Sequence, residues 1–338
     1  MPSSFRLELP LSAWQTTIAY PDSIALLGSC FTENMYHKLA AYKFNVLQNP
    51  HGILFNPLSI ARAVADYAAC RSYTPSDLVY IDEAWHSWHH HTAYSSPNCD
   101  VALRHINMHI ETAHRFLTSA RWCFLTLGSA WVYELLPPHS PNKEQAQAVA
   151  NCHRAPAEWF RRRLLSLSET TDALRQTIGL LQQLNPSINI VLTVSPVRHL
   201  REGFIDNNRS KATLLLAAHD IAAQNEQTRY FPAYELVADD LRDYRFYADD
   251  MVHPNYAATN YVWRRLSAVC FDMPTQQLMR QVEKVQNAYR HVPFNPQSAA
   301  HRRLLADNYA ATLQLQQQLP FLSWNDELQY FGSSMSLL

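Results

Sequence analysis

The chain has 338 residues, 47% of them hydrophobic and 17% charged, a balance that supports a large buried core and excludes a disordered polyelectrolyte. Its 28 basic and 29 acidic residues leave a net charge of −1, which gives no general attraction to nucleic acid or to an anionic membrane. Six cysteines without a C-x-x-C spacing argue against a zinc knuckle or a disulfide framework.

Arg6, Glu8, Pro10 and Gln15 interrupt the N-terminal segment, so it lacks the apolar core of a signal peptide. No run approaches the ~18 apolar residues of a spanning helix, and a cytoplasmic protein is expected. The first apolar run, residues 23–27, ends in Gly28-Ser29-Cys30 just before a helix-periodic segment at 31–42. Ser29 there reads either as a nucleophile delivered by a strand or as a helix cap. Cys30 is a rival nucleophile, because a helix N-terminus lowers a thiol pKa, or else a small buried side chain.

Helical periodicity follows at 57–70 and 107–120, then a second strand at 122–127 that ends in Gly128-Ser129-Ala130-Trp131. Next come a long helix at 159–184, opened by Arg161-Arg162-Arg163 as a solvated face, and a β-branched strand at 188–194. The loop after it carries Arg198 and His199, either anion-binding or merely solvated. Helices are expected at 210–226 and 256–269, and two more, at 275–289 and 296–318, as an appendage. Strands alternating with helices imply a mainly parallel sheet with its ligand edge at the strand C-termini.

Late in the chain, Asp250 and His253 stand in D-x-x-H spacing, close enough on a turn for the carboxylate to orient the imidazole. Asp249 is the alternative acid. Trp85-His86-Ser87-Trp88-His89-His90-His91 clusters imidazoles, but adjacent histidines do not all face one ion. The reading preferred over a metal site is a loop lining a polar, sugar-like ligand, with His91 in contact.

Gly28-Ser29-Cys30-Phe31 resembles the signature of the GSCFA family of SGNH or GDSL-like hydrolases. So do the blocks at 49–57, 85–91, 126–129, 193–197, 230–235 and 243–254, and the segment at 291–296. The resemblance implies a three-layer α/β/α sandwich, SGNH-hydrolase-like and flavodoxin-like, over residues 1–272, with a helical extension at 273–338. It also implies serine ester hydrolysis with Ser29 as nucleophile, His253 as base and Asp250 as its acid, with no metal or organic cofactor.

By position Gly52 fits the oxyanion-hole glycine. The third block departs from Gly-x-Asn-Asp, which leaves the Ser129 hydroxyl, a backbone N–H near Gly128, or the Asn56 side chain as replacement donors. The expected substrate is a small-molecule or carbohydrate O-acyl ester. Acyl transfer to a sugar and a non-catalytic binding module are the alternatives.

Overall fold

The structure is a computed structural model that describes residues 7–141 and 143–333. Its strands are β1 (Ser23–Gly28), β2 (Asn45–Gln48), β3 (Val79–Ile81), β4 (Ala84–His86), β5 (Trp122–Leu127), β6 (Trp131–Leu135), β7 (Gln147–Val149), β8 (Phe160–Leu164), β9 (Asn189–Val194) and β10 (Thr228–Tyr230). The α-helices are α1 (Phe31–Ala41), α2 (Pro57–Ala68), α3 (Cys99–Leu117), α4 (Leu167–Leu184), α5 (Gly203–Gln224), the short α6 (Ala233–Glu235), α7 (Tyr256–Cys270), α8 (Met273–Tyr289), α9 (Ala299–Gln318) and α10 (Asn325–Ser333).

The described chain forms two compact units. The first holds residues 7–10, 23–36 and 46–264, and the second holds 11–22, 37–45 and 265–333. In the first, the sheet order is β10-β9-β5-β1-β2, and the pairings of β1 with β5, β5 with β9 and β9 with β10 are parallel. This is the α/β architecture that the alternation of elements predicts.

Strands β5 and β9 are buried along their whole length, because crossover helices cover both faces of a parallel sheet and leave no polar side. Helix α3 shows the matching stripe, with Ala102, Ile106, Ile110, Ala113 and Leu117 buried at helical spacing. Helix α4 neighbours α2 and α5. Among the described residues no helix is long and apolar enough to cross a membrane.

Residues 160–164 overturn one expectation. They form strand β8, antiparallel to β6, rather than the first turns of a long helix. Arg161 and Arg163 are two apart, so a strand points both to one face. There Arg161 Nη2 donates to Glu134 Oε2 at 2.6 Å and Arg163 Nε donates to Glu134 Oε1 at 2.7 Å. Arg161 and Arg163 therefore share a carboxylate on one face of a strand, with Arg162 on the other face over Trp131, rather than forming a solvated helix face. Helix α4 starts only at Leu167, where the Ser166 hydroxyl accepts the Glu169 N–H and the Glu169 carboxylate accepts the Ser166 N–H.

In the second unit, α8, α9 and α10 pack together around the buried Trp324 and Phe331. A buried carboxylate, Glu327, accepts from Gln286 Nε2 and Lys43 Nζ, each at 2.5 Å.

Candidate active site

The turn from β1 into α1 is set by Gly28. Its φ of +131° lies where L side chains are strained, and a Cβ there would sit 2.1 Å from Thr126 O. The Ser29 N–H still bonds the sheet, donating to Thr126 O at 3.0 Å, so Ser29 is the last residue held by β5. Its side chain turns inward against Gly128, where a Cβ would lie 3.1 Å from Ser29 Cβ. The Ser29 hydroxyl is fully buried and has no hydrogen-bond partner.

Cys30 is the first residue past the sheet, and its Sγ lies 3.7 Å from His253 Nε2. Burial raises the thiol pKa, with Glu33 adding to the shift. The N–H groups of Cys30 and Phe31 and the charge of Lys211 pull it back down. These N–H groups belong to the first turn of α1, where a developing anion is favoured.

Asp250 and His253 meet as their spacing predicts. His253 Nδ1 lies 2.7 Å from Asp250 Oδ2, and Asp250 Oδ1 accepts the N–H groups of Val252 and His253 at 2.9 and 3.0 Å. The His253 side-chain hydrogen bond, followed by those two N–H groups, lowers the Asp250 pKa to about 2. The carboxylate stays ionised at neutral pH and fixes the imidazole with Nε2 facing the thiol. The structure thus brings Cys30, His253 and Asp250 together and leaves the Ser29 hydroxyl outside that chain of contacts.

The expected oxyanion donors are differently placed. Gly52 keeps a left-handed φ of +79°, but its N–H closes a turn onto Asn49 O at 2.7 Å. The N–H groups of Gly128 and Ser129 both donate to Phe55 O, and the Ser129 hydroxyl is tied to Ser210 Oγ and the Trp131 N–H. Each of these groups is committed to holding the loops in place. Asn56 uses Oδ1 to cap α2 by accepting the Ser59 N–H, which turns its amide nitrogen away from that helix.

His91 also departs from expectation. It packs on Gly52, where a Cβ would lie 2.2 Å from His91 Cβ, and its Nδ1 accepts the Ala93 N–H. It shapes the 49–56 loop and does not line the cavity beside the site. Its neighbours are equally committed: His90 Nδ1 pairs with Ser87 Oγ, and the His90 ring stacks on His51 at 3.9 Å. Among the described residues no three His, Cys, Asp or Glu side chains converge as a metal site would require.

Two groups behind the site complete its electrostatics. The Lys211 ammonium, on α5, is buried and donates at 2.7 Å to Gly128 O and Ser195 O, so it joins the loops after β5 and β9. Desolvation lowers its pKa to about 7. No motif marks Lys211 in the sequence, yet a signal is present: it sits on the stripe Asn207, Ser210, Leu214, Ala217, Ala218 and Ile221 that α5 buries. His199 presents a buried Nε2 without a partner, close to Gly128. Burial, then Lys211 and His253, hold its pKa down at about 3, so the ring is neutral at neutral pH.

Beside these residues opens a cavity of 990 Å³, lined by Phe55, Asn56, Ser129, Trp131, Arg198 and His199 among others. Its size suits a drug- or sugar-sized ligand.

No curated protein matches the sequence. Among solved structures, a carbohydrate esterase family 3 protein from Talaromyces cellulolyticus is similar at 8% identity and a TM-score of 0.36, over 77% of this chain and 98% of that one. An acetyl xylan esterase from Butyrivibrio proteoclasticus is similar at 10% identity and a TM-score of 0.37, over 75% of this chain and 64% of that one. The profile of the GSCFA domain protein, C-terminal domain, matches residues 282–336. The profile of the GSCFA family itself matches residues 23–266, so the chain belongs to that family.

Proposed function

We propose that the protein is an acyl-ester hydrolase in which Cys30, not Ser29, is the nucleophile, with His253 as general base and Asp250 as its orienting carboxylate. The observation that carries this reading is the 3.7 Å approach of Cys30 Sγ to His253 Nε2, on a ring whose other nitrogen Asp250 holds. Burial favours the neutral thiol at rest, so the imidazole takes the proton as sulfur attacks the acyl carbonyl carbon. Collapse of the tetrahedral intermediate returns that proton from His253 to the departing alkoxide and leaves a thioester on Cys30. A water deprotonated by His253 then releases the acid and restores the thiol.

The oxyanion is assigned to the α1 N-terminus, whose first N–H groups, those of Cys30 and Phe31, already favour an anion on the Cys30 thiol, and to the unpaired His199 Nε2 acting as a neutral donor. The Asn56 amide, in the wall of the same cavity, is the alternative donor. A thioester intermediate also suits acyl transfer, since a sugar hydroxyl held in the 990 Å³ cavity would replace water in the second half-reaction.

The test is a panel of 4-nitrophenyl acyl esters, with and without a sugar acceptor, on wild type, Cys30→Ala, Ser29→Ala and Asp250→Asn. Cys30→Ala should abolish acyl release and Asp250→Asn should lower it by about 10²- to 10⁴-fold, while Ser29→Ala keeps most of it. Iodoacetamide should label Cys30 faster in wild type than in His253→Ala. Full activity in Cys30→Ala would refute the assignment.

A further inference from the structure

The cavity lined by His199 and by Val252, the residue before His253, does not take Cys30 or His253 into its wall, and it is unusual in its charge. Among the described residues its wall carries Arg154, Arg162, Arg198 and Arg201 and no carboxylate. Three of these side chains lie against aromatic rings: Arg162 over Trp131 at 4.8 Å, Arg201 over Tyr133 at 5.6 Å, and Arg198 over Tyr247 at 4.0 Å. Stacking of this kind orients a guanidinium.

Arg198 is the most constrained of the four. Its ring neighbours are Tyr247 and Tyr244, and its Nη1 is buried without a hydrogen-bond partner. Its main chain is fixed as well, since the Arg198 N–H donates to Val252 O at 3.0 Å, one residue before His253. A buried guanidinium N–H without a partner is costly; although the same side chain also bonds the Tyr247 hydroxyl, the Nη1 end of its planar fork remains to be satisfied, and a carboxylate or a phosphate matches it.

We propose that this cavity is an anion subsite, and that the ester cleaved at Cys30 is borne by an alcohol carrying a carboxylate or a phosphate. Arg198 binds the anion, and Arg201 and Arg154 on the same wall draw it into the cavity. Phe55 and Phe160, on the same wall, take the apolar body of the molecule. The link to ester chemistry rests on the function proposed above, whereas the anion preference stands on the cavity alone.

The experiment therefore measures binding without turnover. Calorimetric titrations of the wild-type protein with glucuronate, glucose 6-phosphate and glucose compare a carboxylate, a phosphate and a neutral ring of the same size. At least one anion should bind about tenfold or more tighter than glucose, and its affinity should fall as ionic strength rises. The tighter of the two anions names the source of the charge.

Arg198→Met should bring anion affinity down to that of glucose and leave glucose binding unchanged, while Arg198→Lys should recover only part of the loss because it lacks the planar fork. If Arg198→Met does not fold, the wild-type comparison and its salt dependence decide alone. Equal affinity for the three probes, or an anion preference that survives in folded Arg198→Met, would overturn the proposal. Inactive Cys30 chemistry would leave these affinities untouched, so the two readings fail separately.

Discussion

Lys211 offers a test of the site's electrostatics that needs no substrate. Its folded-state pKa of about 7, against the ordinary 10.5, is a difference of about 3.5 units, or about 5 kcal/mol between charged and neutral forms at 1.36 kcal/mol per unit. The folded state therefore binds fewer protons than the unfolded chain between these two values. Stability should rise with pH across that window, by up to about 1.4 kcal/mol per pH unit, and that gain is lost as pH falls back from 10.5 towards 7, below which the group contributes no further change. Lys211→Met removes the group and its pH dependence together, while orphaning Gly128 O and Ser195 O, at a cost of about 1–3 kcal/mol each. Other thiols and phenols titrate in both proteins and cancel in the comparison. Urea unfolding followed by tryptophan fluorescence should therefore show wild type gaining about 3 kcal/mol over Lys211→Met across two pH units within the window. Parallel stability curves would refute the buried-ammonium account. The variant's Cys30 should also react more slowly with iodoacetamide, because the Lys211 charge lowers the thiol pKa.

Three further perturbations probe separate parts of the site and its frame. Gly28→Ala places a Cβ against Thr126 O at a strained φ and should cost about 2–4 kcal/mol, read as a lowered Tm. His199→Ala should lower kcat by about 100-fold through loss of an oxyanion donor, with His199→Gln regaining part of it. Equal loss in both variants, with unchanged folding, would remove His199 from that role. Glu134→Ala removes the carboxylate shared by Arg161 and Arg163, but Arg163 keeps Glu169 and the Arg161 side chain is 58% exposed, so it should destabilise by only about 1 kcal/mol in urea. Burial opposes ionisation of Glu134, but the two arginine hydrogen bonds outweigh it and hold its pKa below the ordinary value. Its stabilising contribution should therefore be present above the ordinary carboxylate pKa and lost as pH falls through the lowered one.

The frame of the site was legible because its signals are local. An apolar run that stops at a glycine marks a buried parallel strand, and β1, β5 and β9 lie within one residue of the runs at 23–27, 122–127 and 188–194. The D-x-x-H turn was legible for the same reason, since three residues settle the Asp250–His253 geometry. Strand β8 was misread because a run of three arginines beside helix-forming residues carries no periodicity of its own. Its conformation is decided by Glu134, opposite Arg161 on β6, a contact 27 residues away in sequence.

The choice between Ser29 and the proposed nucleophile Cys30 turns on a single residue of register. A strand-to-helix junction exposes one side chain to the site, and which one depends on how far the sheet's hydrogen bonds run. Composition is silent on that, and the motif Gly28-Ser29-Cys30 offers two nucleophiles in adjacent positions. The bond from Ser29 N–H to Thr126 O carries the sheet one residue past Gly28 and turns the hydroxyl inward against Gly128. Release of the chain at the next residue places sulfur at the first turn of α1, facing His253. Moving a hydroxyl to that position tests the register directly. Cys30→Ser should retain part of the esterase activity, because an alcohol then stands where the imidazole can deprotonate it, and should gain reactivity toward fluorophosphonates. The double variant Ser29→Cys with Cys30→Ala keeps a thiol at the junction but on the inward side, and should be inactive. Activity in that double variant would mean that the junction turns the other way, with residue 29 facing the imidazole.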